Sequence, residues 1–577
     1  MERLSLYAKL KIIFPPKERR YFVLLFFLLL LSTVFEFLGV SLILPLVNLL
    51  LSPERLAEKA WYRLLVRLLP FRDQNSLLLA LVLLIILVYV VKNVYAIYMS
   101  VVQGVFLTRN RIHTSARLLE RYMAKPYAYH LRHNSAEVMR AIHSDVANAY
   151  SLVSCLIRVL TDGMISLLLV LYLVLVDPLL TGSIVAGLAL YSLVYYLLVR
   201  KPMKAAGQEA RTIHTRMIKA IHQAVGGIKE VKLMGRERYF VDSYAANGEA
   251  FVRNKRRYTI LSGVPKHLVE ILCVTGVLGL VAVKIAARQD MTELVGSLSA
   301  FAVATIRLLP CSNSINASIN SISYYMPGLD GVCAMIQDSR DREEPPARRS
   351  RPAPLRASIR VEQLRFAYEE DRDPVLRDVN LTIPPGSSVG IMGATGAGKT
   401  TLVDLILGLL EPQGGRILYG DLDIHQDIRQ WQSRIGYVPQ NIYLTDESIR
   451  ANVALGLYAE QIDDETVWKA LEAAQLADFV RSLPRGLDTV IGERGVRISG
   501  GQRQRIGIAR ALYDDPEILF LDEATAALDT ATEAAVMESV RALSGIKTCI
   551  IIAHRPSTIQ NCDAIYEVRE GRLERQR

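Results

Sequence analysis

The sequence predicts an α-helical six-span transmembrane bundle followed by an α/β P-loop domain, in a chain of 577 residues. Three observations lead there. Six apolar runs reach the roughly 20 residues a helix needs to cross a bilayer. A charged, proline-rich stretch ends them. Beyond it, short β-branched runs alternate with helical patterns around the glycine-rich segment Gly393–Thr400, as in an α/β domain with a phosphate-binding loop.

Composition agrees with a chain in two parts. Apolar residues make up 51% and charged residues 22%, too much charge for a wholly membrane-embedded protein. The formal net charge of +11 fits Lys and Arg held in cytoplasmic loops. No nucleic-acid-binding module accompanies it, so no nucleic-acid partner is expected. The six cysteines are scattered with no metal-ligand spacing and read as small buried hydrophobes. The first apolar run is too long for a cleavable leader and no small-residue cleavage site follows it, so no leader is expected.

The transmembrane region is predicted over 1–335. Its spans are Tyr21–Leu51, Ser76–Ser100, Leu152–Val176, Leu179–Val199, Thr259–Ala287 and Leu294–Leu309. Basic residues crowd 109–140 and 200–257, which places both loops and the N-terminus in the cytoplasm. These loops keep a helical pattern, so the spanning helices should continue past the membrane. Short helices that touch a soluble domain are expected around Met123–His130 and Gly227–Arg236.

The outer loop is an amphipathic helix over about 54–71, with Trp61, Leu64, Leu65, Leu68 and Leu69 at helical spacing and a cationic stripe of Arg55, Lys59, Arg63 and Arg67. It reads either as an interfacial anchor or as a surface for anionic headgroups or a diphosphate-bearing substrate. Charges inside the spans are costly and mark function. Arg158 and Asp162, and Lys266 and Glu270, sit four apart as same-face pairs. Glu36 and Arg307 have no such neighbour; they pair with each other, or Arg307 lines a path for an anionic cargo.

A linker is predicted over 336–357, where Glu344-Pro345-Pro346 and Arg348-Arg349-Ser350-Arg351 cannot bury a core. The α/β domain then occupies 358–577. Its segment Gly393-Ala394-Thr395-Gly396-Ala397-Gly398-Lys399-Thr400 fits the P-loop spacing between a strand (388–392) and a helix (401–410). Such glycines let backbone N–H groups turn inward on phosphate oxygens at a helix N-terminus. The candidate ATP contacts are Gly393, Thr395, Gly396, Ala397, Gly398, Lys399, Thr400 and Thr401. Lys399 serves the β- and γ-phosphates and the Thr400 hydroxyl serves Mg²⁺. The strand Ile518–Leu521 ends in Asp522 and Glu523. Asp522 is placed to hold the metal through water, and Glu523 to take the proton of the attacking water.

With both motifs in hand, residues 358–577 resemble the nucleotide-binding domain of ABC transporters, and the whole chain resembles an exporter-type half-transporter. Ile498-Ser499-Gly500-Gly501-Gln502 is similar to the family's LSGGQ signature, with Ile for Leu. Gln440 after Gly436-Tyr437-Val438-Pro439 matches the Q-loop, His554 the switch histidine, and Tyr368 the adenine-stacking aromatic. Ala526-Ala527-Leu528-Asp529 resembles the SALD loop with Ala for Ser, and Thr489–Gly495 resembles a loop typical of exporters. The resemblance implies Gln440 at the metal or the attacking water and His554 at the γ-phosphate. It also implies that Ser499, Gly501 and Gln502 reach nucleotide bound on the opposite subunit. One P-loop and one signature in one chain imply a dimer, a homodimer by economy or a heterodimer with a paralogue.

For cargo, Gly436–Leu444, Ile306–Asn313 and the basic outer helix together are similar to the flippases of lipid-linked oligosaccharides in bacterial N-glycosylation. This implies a polyprenyl-diphosphate-linked oligosaccharide moved from the cytoplasmic to the outer leaflet of a bacterial inner membrane. A multidrug or lipid A-type exporter shares every ATPase motif, and an ATP-gated channel or regulator shares the architecture.

Overall fold

The structure is a computed structural model describing residues 5–42, 46, 74–176, 178–286, 291–337, 356–369, 373–492, 495–523, 533, 537–538, 540–541, 543, 545–553 and 555–577. The chain divides into two compact units, Met1–Lys125 with Arg132–Glu344, and Pro126–Leu131 with Pro345–Arg577.

The helical unit begins with α1 (Leu6–Ile13), α2 (Pro16–Ser41) and α3 (Gln74–Met123). After α4 (Tyr127–Arg132), which belongs to the second unit up to Leu131, follow α5 (Ser135–Arg140), a π-helical turn (Ala141–Asp145) and α6 (Val146–Val176). Then come α7 (Pro178–Gly226), α8 (Ile228–Met234), α9 (Glu237–Ala286) and α10 (Met291–Gln337). Six of these are long, and they fall where six apolar runs were read. Among the described residues Pro16–Gly39, Leu78–Met123 and Ser135–Leu175 are long and apolar enough to cross a membrane. Helices α3 and α9 have 50 residues each. At 1.5 Å per residue that is about 75 Å, more than twice a hydrocarbon core of about 30 Å. The short helices expected beyond the spans are α4 and α8; α8 stops at Gly235, whose φ of 61° is left-handed and ends a helix at no steric cost.

Apolar side chains such as Leu83, Leu87, Val94 and Ile97 remain exposed along α3, as a lipid-facing surface requires. Inside the unit, Leu25, Leu29, Met99, Leu118, Leu152 and Leu329 form one buried cluster. Helix α1 is tied to it by Arg117 Nη2, which donates to Ile13 O at 2.8 Å, and by the Lys9–Asp330 ion pair at 2.6 Å. Helices α7 and α10 touch backbone to backbone: a Cβ on Gly207 would lie 2.0 Å from Tyr324 O. Asp145, 1% exposed, is gripped by Arg140 at 2.7 Å and Arg211 at 2.9 Å, so a buried charge is paired from two helices.

Where their side chains are described, the intramembrane charges meet partners that sequence spacing does not give. Glu36 pairs with Lys92 of α3 at 2.8 Å, and Lys92 is only 5% exposed. Arg307 lies in α10 but its side chain falls outside the described residues. No ion pair joins Asp162 to Arg158 among the described residues, and Ser314 stands beside Asp162 across the α6–α10 seam. No ion pair joins Lys266 to Glu270 among the described residues. Within helices, a spacing of four permits a pair, but a nearby polar group on a packed neighbour competes. The stripe Arg55, Lys59, Arg63 and Arg67 lies outside the described residues.

The second unit holds β1 (Ile359–Phe366), β2 (Leu376–Ile383), β3 (Ser388–Gly393), α11 (Lys399–Ile406), β4 (Gly414–Tyr419), β5 (Leu422–Asp423), α12 (Ile428–Gln432) and β6 (Ile435–Val438). It continues with α13 (Ile449–Val453), α14 (Asp464–Ala473), α15 (Ala477–Ser482) and α16 (Gly500–Tyr513). Last come β7 (Ile518–Asp522), β8 (Thr548–Ile552), α17 (Pro556–Ile559), β9 (Ala564–Arg569) and β10 (Arg572–Arg575). A four-stranded antiparallel sheet, β2-β1-β4-β5, accompanies a six-stranded sheet, β10-β9-β3-β8-β7-β6, whose β9-β3-β8-β7-β6 part is parallel. Strands β7 and β8 are buried at every position, as strands covered on both faces must be. Leu402, Leu405, Ile406 and Trp431 pack with Ile391 and Phe520 in one core, and Ile506, Ala509, Leu471 and Val480 form another. The chain leaves the parallel sheet at the carboxyl ends of β3, β6 and β7, where ligands of such sheets bind.

Candidate nucleotide site

The loop after β3 is built for close approach. Gly393, Gly396 and Gly398 take φ of 151°, 84° and 105°, conformations that only glycine adopts without strain. A Cβ on Gly393 would stand 2.4 Å from Val568 O. Gly398 is the N-cap of α11 and no side chain caps that end, which leaves the first-turn N–H groups directed outward for an anion. Thr395, Gly396 and Thr400 are exposed, Ala397 is half-buried, and Thr401 is buried. These features fit phosphate oxygens.

Lys399 is 6% exposed, and its Nζ donates to Gly393 O at 2.8 Å and Ala394 O at 3.0 Å. Burial pushes its pKa down, while Glu523 and Asp522 oppose the shift. The lysine therefore lies within the field of both acids that end β7. Asp522 is 7% exposed and accepts from the Tyr437 hydroxyl at 3.4 Å. Glu523 has a φ of 46° and its N–H donates to Ile552 O at 3.0 Å. A non-glycine residue in that region stores strain that the surrounding strands must hold. Gln440 Nε2 donates to Glu523 Oε2 at 2.6 Å. A carboxylate, an amide and a buried aspartate thus gather at one end of the sheet, an oxygen-rich set suited to a hard divalent cation such as Mg²⁺.

Tyr368, 40% exposed, shares a hydrogen bond of 3.0 Å with the Thr401 hydroxyl. Its ring stands at 84° to Phe366. Ser499 is the N-cap of α16 in a capping box: its Oγ accepts from Gln502 N at 3.2 Å and its N–H donates to Gln502 Oε1 at 2.9 Å. The Gln502 side chain is thus engaged within its own helix end. No hydrogen bond or ion pair joins Ser499, Gly501 or Gln502 to the P-loop group among the described residues. The structure brings together Tyr368, the P-loop, Gln440, Asp522 and Glu523, and keeps the signature apart. His554, Ala526–Asp529, Glu493 and Arg494 lie outside the described residues.

Three features of the site escaped the sequence reading. Asp404, 8% exposed on α11, is raised to about 6 by burial and then by Asp522. The acid standing alone in the apolar run Leu402–Leu410 was its signal. Burial also raises the Tyr437 hydroxyl, and Asp522 adds to that. Tyr127 of α4 feels Asp404 and Tyr368, and Ala128 packs on the core that holds α11; nothing local in 126–131 gives that contact away. The capping box was legible as Ser-x-x-Gln but was read only as a signature.

Comparison with known proteins agrees with this geometry. Residues 376–526 match the model of the ABC transporter family, and residues 22–283 match that of the ABC transporter transmembrane region. An ATP-dependent lipid A-core flippase of Nitrosococcus oceani is 30% identical over 78% of this chain and 75% of its own length. The protein of the same description from Ralstonia nicotianae is 30% identical over 79% and 77%. A bacterial Atm1-family ABC exporter solved with ATP bound superposes with a TM-score of 0.75 at 24% identity, covering 96% of this chain and 94% of that one. The chain therefore belongs to the ABC transporters as an exporter-type half-transporter, with a membrane region and an ATP-binding domain in one polypeptide and ATP hydrolysis coupled to transport.

Proposed function

We propose that the chain is an ATP-driven flippase that moves a polyprenyl-diphosphate-linked oligosaccharide from the cytoplasmic to the outer leaflet, working as a homodimer in a bacterial inner membrane through six spans per chain. The reading places the transmembrane domain in 1–335, the linker in 336–357 and the ATPase in 358–577. Relatives described as flippases act on a lipid, which supports a membrane-borne amphiphile as cargo. The sequence likeness of Ile306–Asn313 and Gly436–Leu444 to the lipid-linked-oligosaccharide flippase PglK narrows that class. One structural observation carries the choice of a polar headgroup over an apolar drug. The membrane unit keeps the Glu36–Lys92 ion pair and a polar seam inside its apolar helices, a lining that an apolar cargo does not need.

In the ATPase, the exchange of Lys399 from the loop carbonyls to phosphate oxygens sets the cradle. Tyr368 stacks on the adenine. Thr400, Asp522 and Gln440 are the residues that would hold Mg²⁺, which when bound neutralises phosphate charge. Glu523, fixed by Gln440, accepts the proton of the attacking water. His554 is assigned to the γ-phosphate. Ser499 and Gly501 face nucleotide on the partner subunit through the N-terminus of α16, where Gln502 locks the turn. Closure of two such domains around ATP drives the membrane helices between their two arrangements. Arg307 and the stripe Arg55, Lys59, Arg63 and Arg67 are assigned to the diphosphate.

The test is flipping of a fluorescent lipid-linked oligosaccharide in proteoliposomes, with Glu523→Gln as control. Wild type should move it with ATP, and the variant should lose ATP turnover by about 10²-fold or more. Stimulation of the ATPase by apolar drugs or lipid A, with no movement of lipid-linked sugar, would replace this reading with the multidrug or lipid A-type one. ATP-independent conductance would replace it with the channel.

A further inference from the structure

Helices α6, α7, α9 and α10 meet along a seam that is polar at two levels. At the lower level every group has a partner. Tyr258 and Ser321 share a hydrogen bond of 2.9 Å, Asn320 Nδ2 donates to Tyr195 Oη at 3.3 Å, and Tyr195 donates to Leu261 O. Ser321 also stands beside Cys155 of α6. Seven residues earlier on α10, Ser314 stands beside Asp162, seven residues later on α6. The matched steps mean that antiparallel α6 and α10 keep one register, two turns or about 10 Å along. Asn313 repeats Asn320 on the same stripe, and Tyr191, stacked on Tyr195 with centroids at 6.0 Å, lies one turn along α7.

At this upper level the satisfaction fails. Asp162 Oδ2, Asn313 Oδ1 and the Tyr191 hydroxyl are buried and have no hydrogen-bond partner among the described residues. Buried polar atoms are partnered in the great majority of cases, because an unpaired one forfeits its hydration. A seam that pairs its groups at one level and leaves three polar atoms unpaired one to two turns along, among the described residues, is arranged for something that enters it.

The three atoms define the ligand's chemistry. A carboxylate oxygen and an amide carbonyl accept only, and a phenol both accepts and donates. They call for a partner rich in O–H donors. A diphosphate, itself an acceptor, would be repelled by Asp162. An organic cation would satisfy one acid, but Asp162 already has Arg158 in its field, and the other two groups are neutral. Tyr191 adds an aromatic surface for the C–H face of a ring. We infer that Asp162, Asn313 and Tyr191 form a binding site for the sugar hydroxyls of the cargo, separate from the cations that meet its diphosphate. This rests on the flippase reading and assigns its specificity for the glycan.

The experiment uses the full chain in proteoliposomes with two carriers, one bearing an oligosaccharide and one a single sugar on the same polyprenyl diphosphate. Asp162→Asn, Asn313→Ala and Tyr191→Phe are compared with wild type at limiting carrier. Each should slow movement of the oligosaccharide carrier by about 2- to 10-fold, the worth of one hydrogen bond, and the single-sugar carrier less than twofold. Tyr191→Phe removes one oxygen and keeps the test open if a bulkier change does not fold. Equal losses on both carriers, no loss on either, or a shift of the purified dimer to monomer would each overturn the sugar site while leaving the flippase reading intact. Movement of neither carrier by wild type would instead remove the flippase reading, and this site with it.

Discussion

Asp404→Asn should make the ATPase domain more stable above neutral pH, and it should do so with a defined pH dependence. Asp404 is 8% exposed on the helix that follows the P-loop, and its pKa is raised from 3.8 to about 6, first by burial and then by the charge of Asp522. A raised acid holds its proton longer in the folded than in the unfolded state. Folded protein then binds more protons between pH 3.8 and about 6, so stability falls as pH rises through that window and stays lost above it. Two pK units at 1.36 kcal/mol each give about 3 kcal/mol. The neutral amide escapes that cost but still occupies a buried site, so a net gain of about 2 kcal/mol at pH 8 is expected. For a domain of this size that is a rise of roughly 4–8 °C in Tm. Trp431 is the probe, because its Nε1 donates to Ile406 O at 2.8 Å at the end of the same helix. Unfolding followed by tryptophan fluorescence at pH 5 and pH 8 should show wild type losing stability between them and the variant losing little. A variant less stable than wild type at pH 8, or a wild type with no such pH dependence, would refute the reasoning.

Two further outcomes follow from the helical unit. Lys92→Met removes the ammonium held 2.8 Å from the half-buried Glu36 and should lower stability in detergent by about 1–3 kcal/mol; Glu36→Gln on that background should cost less than in wild type, as a double-mutant cycle on Tm would reveal. Gly207→Ala puts a Cβ 2.0 Å from Tyr324 O and should cost about 1–3 kcal/mol, whereas Gly163→Ala, with nothing within 4 Å of the new atom, should be neutral or stabilising when the two are compared by thermal unfolding.

Periodic and local features were legible without the fold. The apolar runs announced the long helices because a spanning helix buries its length in one solvent and must be apolar throughout. The P-loop and the acids after β7 were legible because each is a short segment whose chemistry depends on its own backbone. Even the stop of α8 at Gly235 could be read nearby. Glu36 was beyond reach: its partner, Lys92, is separated from it by a whole loop and a helix register. Asp162 looked like the ion-pair partner of Arg158, yet it stands beside Ser314 of another helix, with Arg158 acting on it only through its field.

What the sequence determined by itself was therefore the class of element at each position and the identity of the phosphate-binding and acid motifs, since these rest on spacing within a few residues. Only the tertiary structure decided which charges meet, that Asp404 is buried beside Asp522, that α4 lies against the core that carries the P-loop helix, and that one level of the α6–α10 seam is left with unpaired acceptors. Those facts depend on the register in which helices pack. Register is set by the sum of many weak side-chain contacts rather than by any motif.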